Sequence, residues 1–337
     1  MLRQLIRPYI EAGYVRAERH PTLPLTIYNY TQKCTIDRAW DFVTRVCRGL
    51  VLDDNGRVVA RPIPKFFNHD EPEAGSVPWG EETFDLEEKL DGSLIIAFEY
   101  EGQFIFATRG SFVSEQAAKA AELLKKNDLR CLLLPGITYI FEVVYPEDQK
   151  VVEYKKETLY LITRIETATG VENRAGSVVF PMPKRLEGLY IRSADKVACQ
   201  FADLTGVEGF VARFENGARV KFKTPWYVER HRYLQQLSPR FIWSQMKEGK
   251  FAELNKFVPK IHRERVTGIA RDIANLWTVN LYTGLEAAQN ARGMTNVRKG
   301  QAKYIMKHYP EVSRIAFNFL DGKTEEAFES AWRKVKP

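Results

Sequence analysis

Lys89 lies two residues before the pair Asp91 and Gly92, in the segment EEKLDGSLIIAFEY (87–100), and an apolar run follows at once. A lysine amine attacks an electrophile only when it is deprotonated, which requires desolvation or neighbouring positive charge to lower its pKa. A lysine beside a turn is more often a solvated surface residue. Lys89 is therefore a candidate nucleophile only if other parts of the chain bring charged groups to the same place.

A row of cations is predicted in the segment GFVARFENGARVKFKT (209–224). Because side chains alternate along a strand, Arg219, Lys221 and Lys223 should share one face, with Val220 and Phe222 on the other. Such a row is suited to a phosphate. The alternative is that it is a solvated face of the hairpin.

Three further charged residues interrupt apolar segments: Glu208 in VEGF, Glu142 in TYIFEVVYP and Arg48 in VCRGLVL. A buried carboxylate is costly unless it has a partner, so each glutamate should meet a cation or a hydroxyl donor. Glu208 is suited to accept from a ribose hydroxyl or a metal-bound water. A structural pair between Glu142 and Arg48 is the alternative.

The segment RPIPKFFNHDE places Lys65 beside Phe66 and Phe67. A cation next to a flat ring suits a phosphate together with a base, although the two rings are equally suited to a core. Five segments of this kind within one part of the chain favour a shared nucleotide site.

The segments that must position these residues are predicted to be β-hairpins. Turn sequences that favour tight hairpins separate apolar arms at Asp54-Asn55-Gly56, Glu101-Gly102 and Asn216-Gly217. Between them, residues 114–130 have helical spacing. After about Gln236 the pattern becomes helical almost throughout. We therefore predict an α+β protein, with antiparallel sheets and flanking helices in residues 1–236 and an all-α domain in residues 237–337.

Composition sets the broad class. The 337 residues are 45% hydrophobic and 28% charged, as in ordinary soluble proteins. No apolar run is long enough for a membrane span, and the N-terminal segment is interrupted by Pro8 and charges, unlike a signal peptide. The four cysteines are scattered without a CxxC pair, which predicts reduced thiols, a cytoplasmic location and no zinc site.

The net charge of +7 is unevenly distributed. Residues 237–337 carry 18 Lys and Arg against 10 Asp and Glu, whereas residues 1–236 carry 32 against 33. A basic domain beside a neutral one predicts a polyanionic partner, and solvated helix faces are the alternative.

The chain resembles the covalent nucleotidyltransferases, which include the ATP-dependent ligases and the mRNA capping enzymes. The resemblance lies in four motifs in the family's order: KLDGS, TYIFEV, EGFV and VKFK. The finer resemblance, over roughly residues 25–230, is to the bacteriophage RNA ligase 1 family of the tRNA-repair type. It lies in the segments IYNYTQ, CRGLVL, RPIPKFFNHDE, TRGSFVSEQA, RIETATG and VKFKTPWYV.

The resemblance implies that Lys89 is the nucleophile that forms a lysyl-AMP intermediate. It places Tyr28, Arg48, Lys65 and Phe67 in the nucleotide pocket, with the Phe67 ring stacked on adenine. Glu142 and Glu208 would contact the ribose or, through water, the metal, and Lys221 and Lys223 would contact the phosphates. Arg109 stands where the family usually has a lysine. Tyr227 matches a tyrosine that follows the KxK strand. The family's acidic metal-binding position early in the C-terminal domain has only Glu253 as a match, and that ligand is not carried over.

The implied activity is ATP-dependent joining of RNA 5′-phosphate and 3′-hydroxyl ends, with Mg²⁺ or Mn²⁺. The RNA substrates would include nicked tRNA, which the helical basic domain would dock. An end-healing enzyme would act in the same pathway. The protein is expected to be a monomer. Lys221, Lys223 and the metal are expected to keep Lys89 deprotonated.

Three alternatives remain open from the sequence. A DNA ligase or a capping enzyme would share the catalytic core, but those usually have an OB-fold after the KxK strand, which the helical pattern disfavours. A non-catalytic RNA-binding relative would lack the complete charged set.

Overall fold

The computed structural model describes residues 2–80, 83–173, 179–186 and 193–337. The chain divides into two compact units, Met1–Glu229 and Arg230–Pro337. The division falls within the helix Pro225–Gln236, a few residues before the boundary expected after residue 236. Within the described ranges, no helix combines the length and the apolar character needed to cross a membrane.

The first sheet of unit one is antiparallel, with four strands in sequential order. Its strands are β1 (Val15–Arg19), β2 (Leu25–Tyr30), β3 (Arg48–Asp53) and β4 (Val58–Ala60). Helices α1 (Leu2–Glu11), α2 (Gln32–Ile36) and α3 (Phe42–Val46) belong to the same part of the chain.

The other two sheets of unit one have five strands each. The remaining strands, in chain order, are β5 (Phe67–Asn68), β6 (Phe84–Lys89), β7 (Ser93–Tyr100), β8 (Gln103–Ala107), β9 (Ile137–Val144), β10 (Thr158–Glu166), β11 (Glu172–Asn173), β12 (Arg185–Leu186), β13 (Gly209–Phe214) and β14 (Arg219–Lys223). The second sheet has the order β11-β10-β9-β7-β8, and the third has β12-β6-β13-β14-β5. All pairs are antiparallel except β14 with β5.

The three hairpins predicted from turn sequences are confirmed. They are β3–β4, β7–β8 and β13–β14. Gly56, Gly102 and Gly217 have positive φ, the conformation for which tight turns select glycine. The predicted helix is α4 (Glu115–Lys126), whose first turn is capped by the Ser114 side chain.

Apolar side chains between these elements form the cores of unit one. Phe98, Phe141 and Phe214 are among the largest fully buried residues. Phe141 packs beneath α4 and Phe98 between the first two sheets, whereas Phe214 lies in the third sheet's core, which also contains Val197 of α5 (Ala194–Gln200).

The second unit is helical, as predicted. Its helices are α6 (Pro225–Gln236, which begins in unit one), α7 (Pro239–Lys247), α8 (Phe251–Phe257), α9 (Lys260–Met294), α10 (Arg298–His308), α11 (Ser313–Leu320) and α12 (Thr324–Lys334). Small residues of α9 allow close packing: a Cβ on Gly284 would lie 2.4 Å from the Ile315 side chain of α11. The predicted fold class, antiparallel sheets followed by helices, is confirmed.

Candidate active site

A cavity of about 240 Å³ lies between the second and third sheets. The third sheet contributes the end of β6 and alternate residues of β13 and β14, and the second sheet contributes residues of β7, β9 and β10. The lining comprises Arg48, Ile63, Phe66, Glu87, Glu88, Lys89, Leu90, Leu94, Glu142, Ile162, Pro183, Glu208, Val211, Arg213, Arg219, Lys221 and Lys223. As predicted, the three basic residues of β14 share one face, while Val220 and Phe222 are buried on the other.

The centre of the cavity is a cluster of Lys89, Glu208 and Lys223. Gly209 pairs with Lys89 on one side and with Lys223 on the other, so the two lysines flank the strand that Glu208 precedes. Lys89 Nζ donates to Glu208 Oε2 at 2.7 Å, and Lys223 Nζ lies 3.1 Å from Glu208 Oε1. The Glu208 side chain is only 4% exposed, so both of its oxygens are committed to ammonium groups.

Gly209 is required for this arrangement because the strands approach closely. A Cβ there would lie 1.8 Å from the Phe222 carbonyl oxygen, in direct overlap with the backbone of β14. The glycine of the EGFV motif therefore serves the spacing of β13 and β14.

Glu208 and Glu142 stabilise the charged form of Lys89. Burial by itself lowers the pKa of the Lys89 ammonium, but the Coulomb attraction of Glu208 and Glu142 and the hydrogen bond that Lys89 donates to Glu208 outweigh it, so the pKa is raised. Lys221 and Lys223 by themselves therefore do not keep Lys89 deprotonated in this arrangement, and the part of the expectation that rests on the metal stays a prediction. The reason is that the anionic partner is in direct contact, whereas the neighbouring cations are not.

Glu142 lines the same cavity from β9. Its Oε1 accepts a hydrogen bond of 3.2 Å from the Gly92 backbone N–H. Burial raises the pKa of Glu142 to about 7, with Glu208 adding to the rise and Lys89 opposing it. Arg48 influences Glu142 electrostatically, but its guanidinium donates to the Ile63 carbonyl at 3.1 Å, so the alternative of a simple Glu142–Arg48 bridge is not what the structure has.

Asp91 anchors the turn that follows Lys89. It is 4% exposed, and its Oδ2 accepts from the backbone N–H groups of Val151 and Val152 at 2.8 and 2.9 Å. Its Oδ1 accepts from the Tyr227 hydroxyl at 2.8 Å. Asp91 is thus a positioning residue that the sequence reasoning did not single out, although its place in the KLDG motif was a usable signal. Tyr227, matched by resemblance, acts through Asp91.

The opposite wall of the cavity combines cations with one aromatic ring. Lys221 Nζ lies 5.4 Å from the centre of the Phe66 ring, and the Arg48 guanidinium lies 5.5 Å from it. Burial, together with the charges of Lys65, Lys89 and Arg48, lowers the pKa of Lys221 to about 7. Because these neighbouring positive charges disfavour protonation of Lys221, an anionic ligand that offsets them is suited to this wall.

The aromatic residue at the cavity is Phe66, not Phe67. Phe67 pairs with Val220, whose side chain points away from the cavity, so Phe67 is directed into the core beneath the third sheet. Tyr28 is also displaced from its predicted place: it lies in the core formed with Ile6 of α1.

Lys65 and Arg109 lie outside the cavity lining. Lys65 Nζ donates to the Phe66 carbonyl and lies 4.2 Å from the centre of the Phe67 ring. Arg109 donates to the Tyr30 hydroxyl at 2.7 Å. The structure therefore brings Lys89, Glu142, Glu208, Lys221, Lys223 and Arg48 together at the cavity, and leaves Lys65, Phe67, Tyr28 and Arg109 beside it or behind it.

A buried ion cluster at one end of the cavity was missed by the sequence reasoning. Glu172 of β11 bridges two arginines, Arg213 at 3.3 Å and Arg219 in a shorter contact. Both arginines line the cavity. The two-residue strand that carries Glu172 has no distinctive pattern, so nothing in the sequence signalled the cluster.

The donor set suits a divalent ion bound together with phosphates. Mg²⁺ is commonly held by one or two carboxylates plus water and substrate phosphates, and Glu142 and Glu208 are two such carboxylates on one cavity. In the parts of the chain that the structure describes, no three His, Cys, Asp or Glu side chains converge as a self-sufficient metal site. Glu253 lies in the first turn of α8, in the other unit.

A partly buried lysine that contacts a carboxylate, with further cations and one aromatic ring around it, is suited to a phosphate-bearing ligand. Comparison with known proteins then gives the family. Residues 46–227 match the family described as RNA ligase. The chain belongs to this family, as the resemblance to the bacteriophage RNA ligase 1 family predicted.

Two relatives that are named RNA ligases agree with this assignment. The chain is 35% identical over 319 residues to a Thermovibrio ammonificans protein named "Putative RNA ligase", covering 87% of this chain and 83% of that protein. It is 33% identical over 230 residues to RNA ligase 1 of bacteriophage TS2126, covering 59% of this chain and 54% of the phage protein, or about half of its length. Among solved structures, a protein titled "Putative ATP-dependent DNA ligase" from Aquifex aeolicus aligns over 99% of this chain and 77% of its own, with 15% identity and a TM-score of 0.44.

Proposed function

We propose that this protein uses ATP to join 5′-phosphate and 3′-hydroxyl ends of RNA through a lysyl-AMP intermediate on Lys89. The observation that carries the proposal is the contact of Lys89 and Lys223 with the two oxygens of Glu208 in a cation-lined cavity. Membership of the RNA ligase family supports the substrate class.

In the first step, Lys89 Nζ attacks the α-phosphorus of ATP. A phosphorus–nitrogen bond forms, the bond to the bridging oxygen breaks, and pyrophosphate leaves. Because Glu208 raises the pKa of Lys89, the amine becomes reactive only when that pair is weakened. A ribose hydroxyl that donates to Glu208 would weaken it, so nucleotide binding and activation of the nucleophile are coupled.

The cations of the cavity stabilise the charge that develops on the phosphate oxygens. Lys221 and Lys223 lie on the same face of β14, and Arg48 lies beside Phe66. Preorganised charges of this kind supply most of the rate enhancement in phosphoryl transfer. Phe66 is positioned to stack on the base.

Glu142 and Glu208 would hold the divalent ion, Mg²⁺ or Mn²⁺, with Glu208 acting through a bound water because both of its oxygens contact ammonium groups. When bound, such an ion neutralises phosphate charge and orients the phosphates. Glu142 fits this role because burial raises its pKa to about 7, and a cation beside it would offset the cost of its ionisation.

In the second step AMP passes from Lys89 to the RNA 5′-phosphate, and in the third the 3′-hydroxyl attacks that activated end and AMP leaves. The second unit would dock the RNA, including nicked tRNA, through its excess of +8 in residues 237–337. Since sealing needs 5′-phosphate and 3′-hydroxyl termini, an end-healing enzyme would supply the substrate. We propose a cytoplasmic monomer.

The test is incubation with α-³²P-labelled ATP or GTP and Mg²⁺, followed by denaturing electrophoresis. The wild type and the control Lys126→Ala, which changes an exposed lysine at the end of α4, should retain the label from ATP. Lys89→Ala should retain none, yet should still join RNA that is supplied already adenylated, because only the first step needs the amine. Label from GTP alone would indicate capping chemistry instead. Labelling of Lys89→Ala would refute the assignment of the nucleophile.

A further inference from the structure

Helix α10 carries three lysines that the rest of its unit leaves without an acidic partner. Lys299, Lys303 and Lys307 are all exposed. Residues 230–337 are all described, and within them no carboxylate oxygen lies within 4.0 Å of these three ammonium groups. Four other basic residues of the unit have a carboxylate partner: Lys247, Lys250, Arg298 and Lys334.

The three lysines form one stripe, which we call the α10 lysine stripe. Their spacing of four residues places them on one helix face, at intervals of about 6 Å along the axis. The helix sequence, RKGQAKYIMKH, contains no acidic residue, and like charges four residues apart destabilise a helix. A stripe that costs helix stability and meets no internal partner is suited to an external polyanion.

Side chains beside the stripe suit a nucleic acid in particular. The Tyr304 and His308 rings lie 4.6 Å apart, centre to centre. Met306 is 55% exposed on the same helix. Lysines interleaved with rings and apolar surface are the composition with which proteins hold a nucleic acid backbone and its bases.

We infer that the α10 lysine stripe binds the phosphate backbone of the RNA substrate, away from the reacting ends. The inference rests on the proposed function for its choice of RNA, and it goes beyond it by assigning docking to one face of one helix instead of to the net charge of the unit. Phosphate contacts of this kind position the RNA without reading its sequence.

The experiment measures binding of a fluorescein-labelled RNA stem-loop that ends in 5′-hydroxyl and 3′-phosphate groups and so cannot be joined. The full chain is used without ATP, at several KCl concentrations. In the variant Lys299→Ala/Lys303→Ala/Lys307→Ala, we expect binding to weaken at least about tenfold and the slope of log K against log[KCl] to fall by about 2. A matched control, Lys256→Ala/Lys323→Ala/Arg333→Ala, removes the same charge from exposed positions elsewhere in the unit.

Each outcome decides the inference. A larger loss in the stripe variant than in the control supports the inference. The charge-conserving variant Lys299→Arg/Lys303→Arg/Lys307→Arg should then bind normally. Equal losses would show that diffuse charge docks the RNA, and wild-type affinity in the stripe variant would show that α10 is a solvated face. Adenylation of Lys89 is measured in parallel: because the binding assay needs no catalysis, failure of the proposed chemistry and failure of the stripe are separate results.

Discussion

Glu208→Gln tests the site most directly, because it removes one charge from the residue that joins Lys89 and Lys223. We expect the maximal rate of adenylation to fall at least about 100-fold, which corresponds to about 2.7 kcal/mol of transition-state stabilisation. The fold should also be weakened. Breaking a fully buried ion pair costs about 3–5 kcal/mol. Since the Lys89 and Lys223 side chains are 24% and 26% exposed, solvent screening should reduce this cost to about 2 kcal/mol.

The same substitution should change the pH dependence of adenylation in a defined direction. Glu208 provides the largest upward contribution to the pKa of Lys89, so its removal should lower that pKa. The amine then becomes neutral at lower pH, and the acidic limb of the rate profile should move to lower pH even though the maximum falls.

The assay is a single-turnover measurement of labelled AMP transfer between pH 6 and 10, together with thermal unfolding. Glu147→Gln, a change at an exposed glutamate of the same unit, provides the control and should match the wild type in both measurements. An unchanged rate would show that Glu208 is a structural partner only. An acidic limb that stays in place or moves to higher pH would show that Lys89 does not limit it.

Two further predictions concern the cavity wall and the second unit. Lys221→Met should lose at least about two orders of magnitude in adenylation, yet be more stable than the wild type at pH 7. The pKa of Lys221 is lowered from 10.5 to about 7, because burial disfavours the charged side chain. The wild type therefore has its full stability above pH 10.5, where the amine is neutral in both states, and loses stability as the pH falls through about 7. A variant whose thermal unfolding shows no gain over the wild type in this window would contradict the buried-cation account. Removing residues 240–337 should leave Lys89 adenylation largely intact while weakening the sealing of a nicked anticodon loop more than that of short single strands; a soluble truncation with equal losses would refute substrate docking by this unit.

Local patterns were sufficient to predict the hairpins and the shared face of Arg219, Lys221 and Lys223. Both follow from the period of the strand and from turn residues that need positive φ. The embedded charges Glu142 and Glu208 were also predictable, because a carboxylate within an apolar strand needs a partner nearby.

The choice between neighbouring residues was not predictable in the same way. Phe66 directly precedes β5 and Phe67 is its first residue, and the parallel pairing of Phe67 with Val220 of β14 turns Phe67 toward the core. The charge state of Lys89 likewise depends on a contact with Glu208, 119 residues away, that no local pattern specifies. Contacts between segments that are distant in sequence therefore determine both features that local patterns do not predict: which phenylalanine lines the cavity, and the charge state of Lys89.

The hydrogen bond between Asp91 and Tyr227 has a consequence for the order of folding. The two residues are 136 positions apart, and the bond completes the set that holds the turn after Lys89. During synthesis, Lys89 and Asp91 leave the ribosome well before Tyr227 does, at about 5–20 residues per second. The turn that carries the nucleophile therefore reaches its final form only when nearly all of unit one has been made, and a nascent chain that stops before Tyr227 would carry Lys89 without the support that positions it.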